Sequence, residues 1–429
     1  MTLSRAPRPP RAGSVRSYIA GLDPRVVGRA PAFPTAVFVL AAAVALFIGC
    51  GLDGLPPNPT LITAVPVAKR VRLPDGETEE RRRLVDGVAT DPEWNEVPYH
   101  HIAMGPENGN QGGNFIASVK VAHDSTRIYV LVQWPDEEPD RLGPRLIWDP
   151  GTSLAPTGCD SLLVRCNWRL SSDDEDRLAI MWDMGSARDQ SGTFRDRGCQ
   201  VACHGNMHPL NGAVDIWQWR AARTNPIQFQ LSGALRVGFA DDGYADSGGR
   251  IDDPGSGFFR NNYTLINCSG GGRAPRPLKI PDALDEDGRP SIRDNDFMRP
   301  CEYVFDASAS PLNTCSRRNP CRQFEQEDVL DWVEGDDLSA TLLSRPASEG
   351  ARQSRHNVEA RGQWVGIFGG SVLKGTWSLE MSRLLSVGNP EDIDFNLNQA
   401  EPYSMAIAIM NNAGRVHAGS PVIQIRFQP

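Results

Sequence analysis

Cys199, Cys203 and His204 stand together in the run Gly198-Cys199-Gln200-Val201-Ala202-Cys203-His204, with three residues between the thiols and an imidazole directly after the second. Three chemistries use such a donor set. Thiols about one turn apart can form thioethers to the two vinyl groups of a haem, with the following imidazole held against the iron. The usual attachment motif has two residues between its cysteines, so this run is a variant of it. Cys199, Cys203, His204 and His208 could instead hold zinc, which takes sulfur and imidazole ligands at close spacing. In an oxidising compartment Cys199 and Cys203 could also form a plain disulfide.

The compartment bears on that choice. Residues 1 to 35 carry Arg5, Arg8, Arg11, Arg16, Arg25 and Arg29 against the single acid Asp23, and an apolar run from Ala36 to Ile48 follows. This is the pattern of a charged n-region and an h-region. The run is shorter than the roughly 20 residues of a spanning helix, and it ends at Gly49-Cys50, as a bacterial lipoprotein processing site does. Residues 1–50 are therefore expected to act as a signal sequence with Cys50 lipidated, or as an uncleaved signal anchor. In either case the rest of the chain faces the periplasmic side of a membrane. Export favours covalent haem at Cys199 and Cys203, because that attachment is completed outside the cytoplasm.

The elements that must position these residues read as strands. Residues 51–80 begin with Pro56, Pro57, Pro59 and Pro66 and are expected to be a proline-rich tether. From residue 81 onward, strand-length apolar runs recur between Gly, Pro, Asn and Asp: 116–122, 128–134, 178–182, 363–368, 376–381, 405–410 and 422–427. No long stretch keeps a 3.6-residue apolar period, so the expected fold is an all-β sandwich over residues 81–429. Between about Asp241 and Asp337 the pattern gives way to Gly, Pro, Asp, Arg and Cys, which predicts a long irregular insertion. Cys159, Cys166, Cys268, Cys301, Cys315 and Cys321 lie mostly in loops and in that insertion, and structural disulfides are the expected use of them. Six cysteines allow fifteen connectivities.

Several segments in order resemble the haem-binding subunit family of ethylbenzene dehydrogenase and related dimethyl-sulfoxide-reductase-type enzymes, also described as the cytochrome c-552/DMSO reductase-like haem-binding domain. They are Val85-Asp86-Gly87 through Trp94, Val119 to Asp124 with Ile128-Tyr129-Val130 and Trp134-Pro135-Asp136, Asp176 to Trp182, Val214 to Arg223, Trp377 to Glu380 with Arg383, and Ala406 to Asn412 leading to His417. The resemblance implies a β-sandwich like that of a carbohydrate-binding module. It also implies one haem passing electrons between a molybdenum enzyme's iron–sulfur subunit and an external carrier. In the best-understood members a methionine upstream of a W-x-W segment and a lysine near the C-terminus hold a b-type haem. Here the cysteine pair, His204 and Met207 stand upstream of Trp217, and His417 stands where the lysine would fall. The resemblance thus points to c-type haem with His204 and His417 as axial ligands, and to Met207 as the alternative to His204. Trp217 and Trp219 alternate on an expected strand and are candidates either to line the haem pocket or to fill the core.

Composition narrows the remaining classes. The 429 residues are 40% hydrophobic and 23% charged, which suits a folded core. The net charge of −9, with no basic stripe in the body, argues against nucleic acid as a partner. No G-x-S-x-G, P-loop, dinucleotide fingerprint or H-E-x-x-H is present, so an enzyme acting alone is not expected. The expected function is electron transfer with a redox partner protein. The alternatives are a zinc-stabilised lipoprotein and a carbohydrate-binding module that stacks sugars on exposed Trp94, Trp134 and Trp148.

Overall fold

Runs rich in β-branched and aromatic residues, bounded by turn residues, fold as strands here, and among the described residues thirteen strands join into one hydrogen-bonded sheet. The computed structural model describes residues 61–67, 70–72, 78–80, 85–90, 94–106, 113–141, 143–148, 168–172, 174–203, 207–226, 228–230, 236–255, 257–267, 273–281, 293–294, 297–298, 302–305, 321–323, 337–346, 353–369, 372–413 and 416–428. The strands of the main sheet are β1 (Leu61–Pro66), β2 (His100–Pro106), β3 (Phe115–His123), β4 (Arg127–Asp136), β5 (Arg177–Asp183), β6 (Val214–Arg220), β7 (Asp241–Asp246), β8 (Gly249–Asp252), β9 (Glu359–Gly369), β10 (Val372–Leu384), β11 (Tyr403–Met410), β12 (Ala418–Gly419) and β13 (Ile423–Phe427). Two single-turn helices, α1 (Phe194–Arg197) and α2 (Gln200–Cys203), interrupt them between β5 and β6.

The neighbour order is β8-β7-β6-β5-β11-β12-β2-β3-β4-β10-β9, with β13 beside β11 and β1 beside both β13 and β3. The two ends of this path lie face to face. Trp219 of β6 meets Trp134 of β4 at 6.2 Å and Trp377 of β10 at 5.0 Å between ring centroids, although neither strand is its neighbour in the sheet. The inner faces bury Ile62, Val119, Val130, Trp182, Ile407 and Ile425 completely, so the all-β sandwich expected from the pattern is the observed architecture. The indole N–H of Trp377 donates to Asp176 Oδ2 (2.9 Å) and that of Trp219 to Asn225 Oδ1 (3.1 Å), so those two large side chains are buried without leaving a donor unpaired.

The structure revises two boundaries. Leu61–Pro66 lies in the segment expected to be a tether, yet it forms β1, pairing parallel with β13 (Leu61 opposite Gln424) and burying Ile62 and Ala64 fully. Two apolar side chains on alternate positions of a six-residue stretch suffice to seat a strand between two others, whatever its proline content at the far end. β7 and β8 lie within the segment expected as an insertion, yet β7 pairs in register with β6 along its length (Asp215 opposite Tyr244, Trp217 opposite Asp242). The signal segment with Cys50, and the side chains of Cys159, Cys166, Cys268, Cys301, Cys315 and Cys321, lie outside the described residues. Among the described residues no helix is long and apolar enough to cross a membrane.

Candidate functional site

The thiols are placed by two short helices lying on the outer face of β5, β6, β7 and β11. Thr193 begins α1, its N–H (3.4 Å) and its hydroxyl (2.7 Å) both donating to Asp196 Oδ2, so that the third helical residue reaches back to the cap as in a capping box. Phe194 anchors α1 in the apolar floor below. Gly198 then turns the chain in a left-handed conformation (φ 59°), donating its N–H to the Phe194 carbonyl (2.8 Å) while its Cα passes close over Ala406 and Val422. A side chain there would be strained by that φ and would touch both neighbours. The turn delivers Cys199 to the start of α2, where its carbonyl accepts the N–H groups of Ala202 (3.0 Å) and Cys203 (2.8 Å). Cys199 and Cys203 are thus one helical turn apart on one side of α2. Cys199 is buried and Cys203 is half-buried.

The floor consists of Met181, Val214, Ile216, Ala245 and Ala406, against which Cys203 and Met207 pack. Strand alternation decides which residues reach this floor. On β6, Val214 and Ile216 point to it, whereas Asp215, Trp217 and Trp219 point to the opposite face, into the sandwich core. Trp217 there packs against Trp182 (5.3 Å) and Trp219 against Trp134 and Trp377. Of the two roles open to these tryptophans, the structure gives them core filling, and neither lies beside the cysteines.

His417 arrives from the other end of the domain. It directly precedes β12, whose Ala418 and Gly419 pair with Ile409 and Ala408 of β11 on one side and with Pro106 and Gly105 of β2 on the other. Fixed in this way, the imidazole Nε2 stands 3.9 Å from Cys203 Sγ. The two thiol sulfurs and one imidazole nitrogen all lie within 4.8 Å of one another. Met207 returns after α2 with a left-handed backbone (φ 64°), unusual for methionine, held by its N–H on the Ala202 carbonyl (2.9 Å). His204 lies outside the described residues. His208 is exposed and rests over Gly249 of the β7–β8 turn; among the described residues the converging trio is Cys199, Cys203 and His417, without His208.

The tryptophans considered as a sugar-stacking platform do not form one. Trp94, Trp134 and Trp148 are 0%, 2% and 6% exposed, because each packs inside an apolar cluster or against another indole ring. A ring with no open face cannot stack on a sugar.

The fold and site define an all-β sandwich protein with two thiols and an imidazole gathered over an apolar floor on its outer face. Residues 91–420 match the family described as ethylbenzene dehydrogenase, and the chain belongs to that family. No curated protein matches it significantly. Among solved structures it is similar to a candidate carbohydrate-binding protein from Bacteroides uniformis ATCC 8492, at 7% identity over 87% of this chain and 100% of that one, with a TM-score of 0.28.

Proposed function

We propose that this chain is an exported electron-transfer protein that holds one haem through Cys199, Cys203 and His417. The observation that supports the reading most is the convergence of those three side chains, drawn from separate parts of a chain that belongs to the ethylbenzene dehydrogenase family. The donors suit the group: two thiols one turn apart for thioethers, an imidazole for an axial position, and the Met207 side chain packed against the same apolar floor as Cys203. Bound haem supplies a one-electron couple whose potential is set by axial ligand and pocket polarity. The protein's own part is to fix the ligands on rigid elements. α2 sets the thiol spacing, β12 sets the imidazole, and the floor of Met181, Val214 and Ile216 keeps water from that side. His204 is the expected second axial ligand, with Met207 as its alternative. The partner is a redox protein, in keeping with the family a molybdenum and iron–sulfur oxidoreductase, and the membrane is reached through the N-terminal segment.

One measurement of the site favours a second reading. A single zinc ion bonded to thiolate at about 2.3 Å and imidazole at about 2.0 Å in a tetrahedron holds its sulfur and nitrogen ligands roughly 3.5 Å apart. The 3.9 Å between Cys203 Sγ and His417 Nε2 is close to that spacing. Protein produced with a cytochrome c maturation system separates the two. The haem reading requires Soret absorption and a haem-stained band after denaturing electrophoresis. Colourless protein carrying stoichiometric zinc would establish the other.

A further inference from the structure

A second set of charged groups lies in the sandwich core, on the face of β6 turned away from the cysteines. Asp215 of β6 and Asp242 of β7 project from the same side of neighbouring strands, Asp242 being the register partner of Trp217. Asp392 reaches them from the turn after β10. One carboxylate oxygen from each of the three lies within 4.8 Å of the other two, and exposure is 0% for Asp215 and Asp242 and 5% for Asp392.

Arg383 of β10, itself fully buried, compensates part of this charge. Its Nη1 donates to Asp215 Oδ2 (2.5 Å) and to Asp392 Oδ1 (2.6 Å), and its Nη2 to the Ile393 carbonyl. The other oxygens are treated unequally. Asp392 Oδ2 accepts from Asn389 (2.8 Å), but Asp215 Oδ1 and both oxygens of Asp242 have no hydrogen-bond partner among the described residues. A buried carboxylate with neither oxygen bonded is costly and calls for an explanation. Three carboxylates, with the buried Asp253 carboxylate close by, against one guanidinium leave an excess of negative charge that a divalent cation would offset. A cavity of about 300 Å³, lined in part by Asp183, Arg195, Asp392 and Asp394, adjoins the cluster at Asp392.

We propose that Asp215, Asp242 and Asp392 bind a divalent, oxygen-seeking cation, in the first instance calcium, which completes the charge balance begun by Arg383 and fastens the turn after β10 to the β6–β7 pair. The donor set is all oxygen, which selects calcium, magnesium or manganese over zinc or copper. Calcium accepts irregular sets of six to eight oxygens, whereas magnesium demands a near-ideal octahedron and gives up its water reluctantly. Nothing in this assignment depends on what occupies the cysteine site.

The test uses the full chain, stripped with chelator and titrated separately with calcium chloride, magnesium chloride and terbium. Calcium should raise the melting temperature saturably. Terbium should show luminescence on excitation of tryptophan, because Trp217 adjoins the cluster, and calcium should displace it. Asp242→Asn keeps the shape of the side chain, removes an unpaired charge, and should weaken calcium binding at least tenfold. Asp392→Asn, in the turn, is the second variant should the first fail to fold. An unaltered chain with no saturable calcium shift and no sensitised terbium emission would overturn the proposal and assign the balance to protons. So would undiminished calcium binding in either aspartate variant. Tighter binding of magnesium than of calcium would overturn the choice of ion.

Discussion

Nε2 of His417 faces Sγ of Cys203 across 3.9 Å, although 214 positions separate the two residues in the chain. Neither belongs to a long element. The contact exists because α2 is seated on the outside of β6 and β11 while β12 is stitched between β11 and β2, so the sheet serves as a common ruler for both.

If His417 is an axial ligand, His417→Ala should open one side of the iron. The reduced protein should then bind carbon monoxide rapidly and show a high-spin spectrum, with the haem still attached through Cys199 and Cys203. A spectrum left low-spin would transfer the role to Met207.

Trp219 offers the opposite expectation. Its ring lies in the core beside Trp134 and Trp377, on the far face of β6 from the cysteines. Trp219→Ala should cost about 3–5 kcal/mol of stability, the usual range for emptying a large aromatic site. Below its melting temperature the variant should keep the absorption spectrum of the unaltered protein. Chemical denaturation together with that spectrum checks both halves.

Asp136 and Asp176 give the fold a pH dependence. Burial, together with the Asp140, Glu137 and Glu138 carboxylates nearby, lifts Asp136 to about 7. Burial and the charge of Asp136 lift Asp176 likewise to about 7, against an ordinary 3.8. Acids that hold protons more tightly when folded contribute stability that is full below about pH 4 and is lost as pH rises through about 7. The urea midpoint should therefore be lower at pH 8 than at pH 5. Asp136→Asn should recover on the order of 1–2 kcal/mol at pH 8 and little at pH 4.

The status of β1 can be tested by truncation. A chain starting at residue 57 should melt as the full chain does. One starting at residue 67 loses the burial of Ile62 and Ala64 and the pairing with β13, and should lose about 3 kcal/mol or more.

Much of the sandwich was legible in the sequence because its strands carry their own signal. The run 128–134 is the body of β4, 376–381 lies within β10, and 405–410 fills β11. β1 was hidden because its six residues alternate apolar and polar only weakly and because parallel pairing with a distant strand leaves no local mark. The cysteine pair announced itself by spacing, but only resemblance singled out His417, since a lone histidine before a two-residue strand has no pattern of its own. The tryptophans were ambiguous for a physical reason. β6 is buried on both faces, so alternation separates Val214 and Ile216 from Trp217 and Trp219 without saying which face carries chemistry. The acidic cluster was invisible because Asp215, Asp242 and Asp392 read singly as ordinary surface charges, and only the register of β6 with β7, together with the turn after β10, gathers them.

The parallel pairing of β1 with β13 also bears on the order in which the protein can be made. β13 must emerge before β1 acquires the neighbour that buries it, and β1 in turn pairs with the end of β3, which β2 and β4 already flank. A nascent chain that has produced β1 through β11 therefore carries an unsatisfied strand near its front, with exposed backbone groups and the bare side chains of Ile62 and Ala64. Such long-range closure slows folding and lengthens the time spent prone to aggregation. A chain with this topology gains from being kept loose until its last strand is available.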